Sequence, residues 1–256
     1  MKRVSAGGRF FPVGAALLLG FLAACAGTLS LPPLEPMIQG ADYSGTETCA
    51  LCHEGMVRDF EKTDHGRLFL SGREGVQGCE ACHGPGSLHV EAGGGRGVHI
   101  VNPDENPRVC LRCHLTVEMQ LSLQYRHPVI EKRMTCSNCH YPHGEDIYKP
   151  KGAFSAGRNH TCMQCHREQV RPRVFEHEAL REGCTTCHNP HGSVADKLLT
   201  ERDNNLCLKC HGQVATPGVV IIGDFNHTSF LTRGTCWSAG CHTAVHGSDI
   251  NAHLRY

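Results

Sequence analysis

The stretch from His177 to His191, His-Glu-Ala-Leu-Arg-Glu-Gly-Cys-Thr-Thr-Cys-His-Asn-Pro-His, decides the fold. It holds Cys184-Thr-Thr-Cys187-His188, with His177 upstream and His191 three residues beyond. Cys-x-x-Cys-His is the attachment signal for c-type haem: the two thiols form thioethers to the porphyrin vinyl groups, and the adjacent histidine is placed to ligate the iron. Seven further sites of this kind fill the chain.

They come in pairs, and a repeat is sought before secondary structure. The first unit, about 46–105, has Cys49-Ala-Leu-Cys52-His53, then His65, then Cys79-Glu-Ala-Cys82-His83 with His89. The second, about 106–158, has Cys110-Leu-Arg-Cys113-His114, His127, and Cys136-Ser-Asn-Cys139-His140 with His143. The third, about 159–203, has Cys162-Met-Gln-Cys165-His166, His177, and Cys184 to His188 with His191. The fourth, about 204–256, has Cys207-Leu-Lys-Cys210-His211, His227, and Cys236 to Cys241-His242 with His246.

Four units of four histidines supply 16 of the 19 histidines, two axial ligands for each of eight irons, and leave His99, His160 and His253 over. Any single histidine outside a motif is best read as a surface or hydrogen-bonding residue, but recurrence in the same slot four times reverses that. The motif histidines are the proximal set; His65, His89, His127, His143, His177, His191, His227 and His246 are the distal set. Met56, Met119, Met134 and Met163 hold no common slot and read as packing against porphyrin.

In His188-Asn-Pro-His191 and His140-Tyr-Pro-His143 the second histidine lies too close in sequence to reach the opposite face of the same porphyrin, so it points to a neighbouring haem. The mid-unit histidines, His65, His127, His177 and His227, follow the first motif by 11 to 16 residues. That gap is long enough to return over the first haem of the same unit. Two sites depart from the pattern. Cys236-Trp-Ser-Ala-Gly-Cys241-His242 has four residues between its cysteines and on its own could be a disulfide, though its place in the repeat favours haem. In the first unit, His99 in the glycine-rich loop 92–99 rivals His89 as a ligand.

The start of the chain reads as a secretory signal peptide, residues 1–24: Lys2, Arg3 and Arg9 precede an apolar run from Phe10 to Leu22. That run is short for a membrane span and is interrupted by Pro12, Gly14 and Gly20. Leu22-Ala-Ala-Cys25 resembles a bacterial lipobox, which would make Cys25, the one cysteine of the 17 outside a haem motif, a lipidation site. Ordinary cleavage after Ala26 is the alternative. Residues 25–45, with Pro32, Pro33 and Pro36, read as a tether, and residues 46–256 as the haem domain. Lipoprotein sorting, with no aspartate after Cys25, implies the outer membrane.

An exported chain could use its cysteines in disulfides, but a disulfide needs no histidine after the second cysteine, and zinc sites pair their ligands over longer loops. About 232 mature residues leave about 29 per haem, too few to build a core around each. Aromatics are 6% of the chain, so the porphyrins must supply most of the buried apolar surface and the apoprotein should be largely unfolded. The expected fold is a multihaem cytochrome c with little regular structure: short helices and loops wrapped around an extended haem stack in four dihaem repeats. A helix is expected near Gly55 to Lys62; Leu115 to Tyr125 is ambiguous between helix and strand, and Val219 to Ile222 between strand and apolar loop. Formal charge is zero, propionates would make the holoprotein acidic, and nothing suggests nucleic-acid binding.

The paired repeat, with Gly183-Cys-Thr-Thr-Cys-His-Asn-Pro-His-Gly192-Ser193, Lys197-Leu-Leu and Leu206-Cys-Leu-Lys-Cys-His211, resembles the MtrA/DmsE family of multihaem cytochromes over about 45–256. Cys79-Glu-Ala-Cys-His-Gly-Pro-Gly-Ser-Leu-His89 matches a phrase common in multihaem cytochromes, where the last histidine is an axial ligand. Family members typically carry ten haems; eight resembles the shorter members of porin-cytochrome complexes. The resemblance implies electron transfer between periplasmic carrier cytochromes and an outer-surface multihaem cytochrome, through an outer-membrane β-barrel porin. Two axial nitrogens on every iron exclude substrate binding, so a relay rather than an enzyme is expected. The alternatives are a terminal reductase, with the irregular last site as its open iron, and a periplasmic or extracellular shuttle.

Overall fold

The computed structural model describes residues 38–71, 78–144, 156–238 and 240–256. The signal peptide, Cys25 and the tether up to residue 37 lie outside the described residues. Among the described residues no helix is long and apolar enough to cross a membrane. Regular structure is sparse: α1 (Thr46–Phe60), α2 (Asp64–Phe69), α3 (Glu80–His83), α4 (Ser87–Glu91), α5 (Arg108–Leu111), α6 (Leu115–Leu121), α7 (Ala156–Met163), α8 (Arg167–Val170), α9 (Asn205–Leu208) and a three-stranded meander.

The first motif of each unit sits on a helix, and in three units the helix breaks at the motif histidine. His53 (φ −116°, ψ 35°), His114 (φ −88°, ψ 57°) and His166 (φ −102°, ψ 50°) leave the helical region, and a second helical segment follows directly. The helix expected near Gly55 to Lys62 is thus the second half of α1, ending on the buried Phe60. Both readings of Leu115 to Tyr125 hold in part: α6 runs to Leu121, and Tyr125 then pairs like a strand residue. Two of the second motifs are tighter, with 3-10 turns at Cys136–Asn138 and Cys184–Thr186.

In the fourth unit a meander replaces the second helix. Strands β1 (Gln213–Thr216), β2 (Val219–Ile222) and β3 (Phe225–Asn226) are antiparallel, with Thr216 opposite Val219 and Ile222 opposite Phe225. Two-residue turns join them, and Gly218, Gly223 and Asp224 take the positive φ that such turns demand. Val219 to Ile222 is therefore a strand.

The polypeptide has little core of its own. Among the described residues the buried apolar ones are few, Leu121 and Ala244 most completely, while Leu51 is 83% and Met119 63% exposed. Apolar side chains left bare in this number need a partner surface. One polar anchor stands out: the buried Glu80 carboxylate accepts from the backbone N–H groups of Ser44, Gly45 and Gly86 at 2.8 to 2.9 Å, tying the chain before α1 to the second motif.

Candidate functional site

Within each unit the first cysteines of the two motifs lie side by side. In three units the residue three places before the first motif bridges them. Asn159 Oδ1 accepts from the Cys184 N–H (3.0 Å) and thiol (3.1 Å), and Asn204 Oδ1 accepts from the Cys236 N–H (2.9 Å) and thiol (3.2 Å). The Cys79 thiol meets Thr46 Oγ1 in the first unit. In the free thiols, burial and Cys79 push Cys49 up to about 11, and burial and Cys236 push Cys207 up to about 12. Hydrogen bonds from their partners pull Cys136 and Cys162 down to about 7.

The irregular site fits this scheme. In regular motifs the histidine N–H donates back to the first cysteine carbonyl, as in His83 to Cys79 (3.1 Å) and His188 to Cys184 (2.9 Å). His242 N–H donates to the Cys236 carbonyl at 2.8 Å, so the longer motif makes the same return from histidine to first cysteine.

The histidine rings meet in pairs across the junctions between units. His65 faces His114 and His143 faces His83 at the first junction, with ring centres 5.8 and 5.7 Å apart. His127 faces His166 (6.2 Å) and His191 faces His140 (6.0 Å) at the second. His177 faces His211 and His246 faces His188 at the third, both at 6.1 Å. One rule covers all six. The mid-unit histidine reaches forward to the next unit's first motif, and the tail histidine reaches back to the previous unit's second motif.

This corrects the expectation that mid-unit histidines fold back over their own unit's first motif. Short strand pairings carry them forward. Tyr125 exchanges both backbone hydrogen bonds with Ser193 (3.2 and 2.8 Å), and Phe175 does so with Ser248 (2.8 and 2.9 Å). Two residues later His127 Nδ1 donates to the Pro190 carbonyl (2.6 Å), and His177 Nδ1 to the Val245 carbonyl (2.9 Å), each just before the tail histidine of the next unit. Gly192 and Gly247 permit the approach: a Cβ on Gly192 would lie 2.0 Å from the Gln120 carbonyl oxygen, and one on Gly247 3.1 Å from that of Phe175.

The pairs fit a haem held by two imidazoles. Metal–imidazole bonds of about 2 Å put the two nitrogens about 4 Å apart and the ring centres about 6 Å apart. His83 Nε2 and His143 Nε2 face each other at 3.5 Å. A cavity of about 760 Å³ opens beside His177 and His211, with Cys210 on its wall. The other ring nitrogen is held by protein oxygens: Nδ1 of His83, His188 and His242 donates to the carbonyls of Val101 (3.0 Å), Lys197 (2.7 Å) and His253 (2.7 Å), and His191 Nδ1 to Gln120 Oε1 (3.2 Å). Such bonds fix the tautomer and leave Nε2 for the metal. Burial, followed by the facing histidine, lowers the pKa of His143, His191, His211 and His246, favouring the neutral form that binds iron. Among the described residues no three His, Cys, Asp or Glu side chains gather into a cage for a bare metal ion.

His53, His89, His227 and His242 enter no histidine ring pair among the described residues; His227 packs on Phe230 instead. His89 Nδ1 donates to the Val98 carbonyl (2.8 Å), and His99 is exposed beside it. Sequence reading missed the clamp between units, although its signals, aromatic-x-His and His-Gly-Ser, recur in the text: Tyr125-Arg-His127, Phe175-Glu-His177, His191-Gly-Ser193 and His246-Gly-Ser248.

The doubled CXXCH motif family matches residues 127–171 and 177–216. The cytochrome c-type protein NrfH of Wolinella succinogenes is 24% identical over 46% of this chain and 76% of its own length. The multiheme cytochrome MtrA of Shewanella baltica is 30% identical, over 84% of this chain and 83% of its own length. The chain therefore belongs to the MtrA family of multihaem c-type cytochromes, and its work is electron transfer through covalently bound haem c.

Proposed function

We propose that the chain attaches eight haems, each held between two histidines, and relays electrons across the outer membrane within a porin-cytochrome complex. The observation that carries this is the set of six ring pairs, two at every unit junction, in which each unit supplies ligands to the next. Covalently bound haem supplies one-electron chemistry at low potential when both axial groups are imidazoles. The residues do the rest. Sixteen cysteines would anchor the haems, the paired rings would hold the iron, and the carbonyls behind His83, His188 and His242 fix ring orientation. Sharing ligands between units brings neighbouring attachment sites together, which electron hopping needs.

The similarity to MtrA supports the conduit reading over a reductase, which needs an iron with an open distal site. The partners proposed are a β-barrel porin, an outer-surface multihaem cytochrome and periplasmic carriers. The barrel is required on physical grounds, because bare polar backbone is not tolerated in the bilayer core. Export by residues 1–24 and lipidation at Cys25 place the chain on the periplasmic side of the outer membrane in this reading. Intact mass and low-temperature EPR of the purified holoprotein, with membrane fractionation, test it. Eight haem additions, low-spin iron throughout and co-purification with a porin are expected. Seven additions would remove the haem from Cys236 and Cys241, and a soluble periplasmic protein with no porin would favour a shuttle.

A further inference from the structure

The three junctions differ in one slot, the residue before the second cysteine of the first motif on the far side. It is Arg112 at the first junction, Gln164 at the second and Lys209 at the third. A side chain in this slot reaches the preceding unit. Arg112, which directly follows α5, donates from Nη2 to the carbonyl of Ala81, the residue before Cys82. Burial pushes the Cys82 thiol up, the Arg112 charge pulls against it, and the Cys113 thiol adds to the rise, so the guanidinium shares its surroundings with both cysteines. At the third junction burial and Cys210 push Cys187 up, and Lys209 opposes them. At the second, burial and then Cys162 and Cys165 push Cys139 up, and the slot holds the neutral Gln164.

The two cations are not equivalent. The Lys209 side chain is 52% exposed and its ammonium pairs with Glu201 at 2.9 Å, so its field is screened by water and offset by a carboxylate. Arg112 pairs with no carboxylate among the described residues, and its Nε is buried with no hydrogen-bond partner among them. A buried charge without a counter-charge costs stability, and its field is felt more strongly by its neighbours than that of a solvated one. A haem held by two neutral imidazoles carries one positive charge at its core when ferric and none when ferrous. A cation beside it therefore favours the ferrous form.

We infer that Arg112 tunes the electron path at the first junction: its guanidinium raises the reduction potentials of the haems at Cys79–Cys82 and Cys110–Cys113. Gln164 supplies no such bias at the second junction, and Lys209, paired and exposed, supplies a weaker one at the third. The inference rests on those two motifs carrying haem and adds the residue that sets the energy of an electron there. One charge about 10 Å from an iron, at an effective dielectric constant of about 20, shifts the ferrous-to-ferric ratio roughly tenfold, which is about 59 mV for a one-electron couple.

Spectroelectrochemical titration of the full-length holoprotein, read beside peptide mass mapping of its haem sites, tests the inference. Arg112→Met keeps an unbranched side chain and removes the charge. Two haems should then titrate at lower potential, each by roughly that tenfold change in ratio, and stay low-spin. Arg112→Lys keeps the charge and should restore most of the wild-type curve. Lys209→Gln should move the curve much less than Arg112→Met does, and molar salt should abolish its effect while sparing that of Arg112→Met. An Arg112→Met curve that superposes on wild type would overturn the inference. So would an equal fall in Arg112→Lys, which would assign the effect to lost packing, or an equal fall in Lys209→Gln, which would remove the difference between the junctions. Loss of haem from both Arg112→Met and Arg112→Gln would overturn it as well, by making Arg112 a requirement of assembly. Mapping that finds no haem on Cys79–Cys82 or Cys110–Cys113 of the wild type would instead sink the haem assignment beneath it, whatever the titrations show.

Discussion

The junctions between units and the outer slots of the first and fourth units are built differently. At the second and third junctions a Tyr125–Ser193 or Phe175–Ser248 pairing aligns the backbone, and two ring pairs bridge the gap. In the outer slots of the first and fourth units, those of His53, His89, His227 and His242, no histidine ring pair forms among the described residues, and other devices appear. Glu80 ties down the chain before α1, and the β1–β3 meander fills the place where the fourth unit would have its second helix. In repeat proteins the terminal units must differ because each interior unit is stabilised by its neighbours. Here the neighbours also bring histidine rings face to face, so a junction is a packing contact and, in the proposed reading, a coordination link.

The largest effect should come from cutting a junction. His127→Ala/His191→Ala removes the mid-unit and tail rings of the second junction, those facing His166 and His140. Two haems should turn high-spin in EPR, and limited proteolysis should separate the halves of the protein. The outer-slot variant His227→Ala should turn one haem high-spin and leave protease resistance unchanged. Equal protease sensitivity in the two proteins would erase the distinction between junction and outer slot.

How far each feature was legible follows from what fixes it. Thioether chemistry demands the cysteine spacing and the adjacent histidine, so the eight sites and the four-unit repeat stood in the text. Even Cys236 to His242 kept its slot, because the return from His242 N–H to the Cys236 carbonyl tolerates two extra residues. The direction taken by the mid-unit histidines was not legible. A gap of 11 to 16 residues spans a return to the same unit as easily as a reach to the next, and backbone pairing far along the chain decides it. The glycine after the tail histidines His143, His191 and His246 was visible, but its reason at Gly192, a carbonyl 2.0 Å from a Cβ placed there, belongs to a contact between units.

That glycine gives the next test. Gly192→Ala forces the second junction apart and should cost roughly 2–3 kcal/mol. Gly240 sits inside the last motif, with φ 75° and nothing within 4 Å of a Cβ, so Gly240→Ala should cost only about 1 kcal/mol, from backbone strain. Thermal unfolding of the two holoproteins should rank them in that order. A smaller step removes one hydroxyl from a junction. Ser248 is fully buried; its Oγ donates to the Arg255 carbonyl and accepts from the Ile250 and Asn251 N–H groups. Ser248→Ala should cost about 1–2 kcal/mol. Ser193→Ala should match it, since Ser193 Oγ likewise donates to the Leu199 carbonyl and accepts from the Ala195 N–H.

The smallest effect separates the third junction from the second. Asp249, next to Ser248, meets Arg171 Nη2 at 2.7 Å and Arg173 Nη1 at 3.1 Å, whereas the matching residue after Ser193 is the uncharged Val194. The Arg171 hydrogen bond, followed by those from Arg173 and the Val174 N–H, holds the Asp249 carboxyl below the usual carboxylate range. A carboxylate whose folded pKa is depressed stabilises the protein above its unfolded pKa, and that contribution fades as pH falls through the folded value. Exposed pairs are weak and screened by salt. Asp249→Asn should therefore lower the melting temperature slightly at neutral pH and low salt, and the gap to wild type should close both in molar salt and in acid. A gap that survives molar salt would mean that Asp249 acts through its hydrogen bonds rather than its charge, leaving the third junction no more electrostatic than the second.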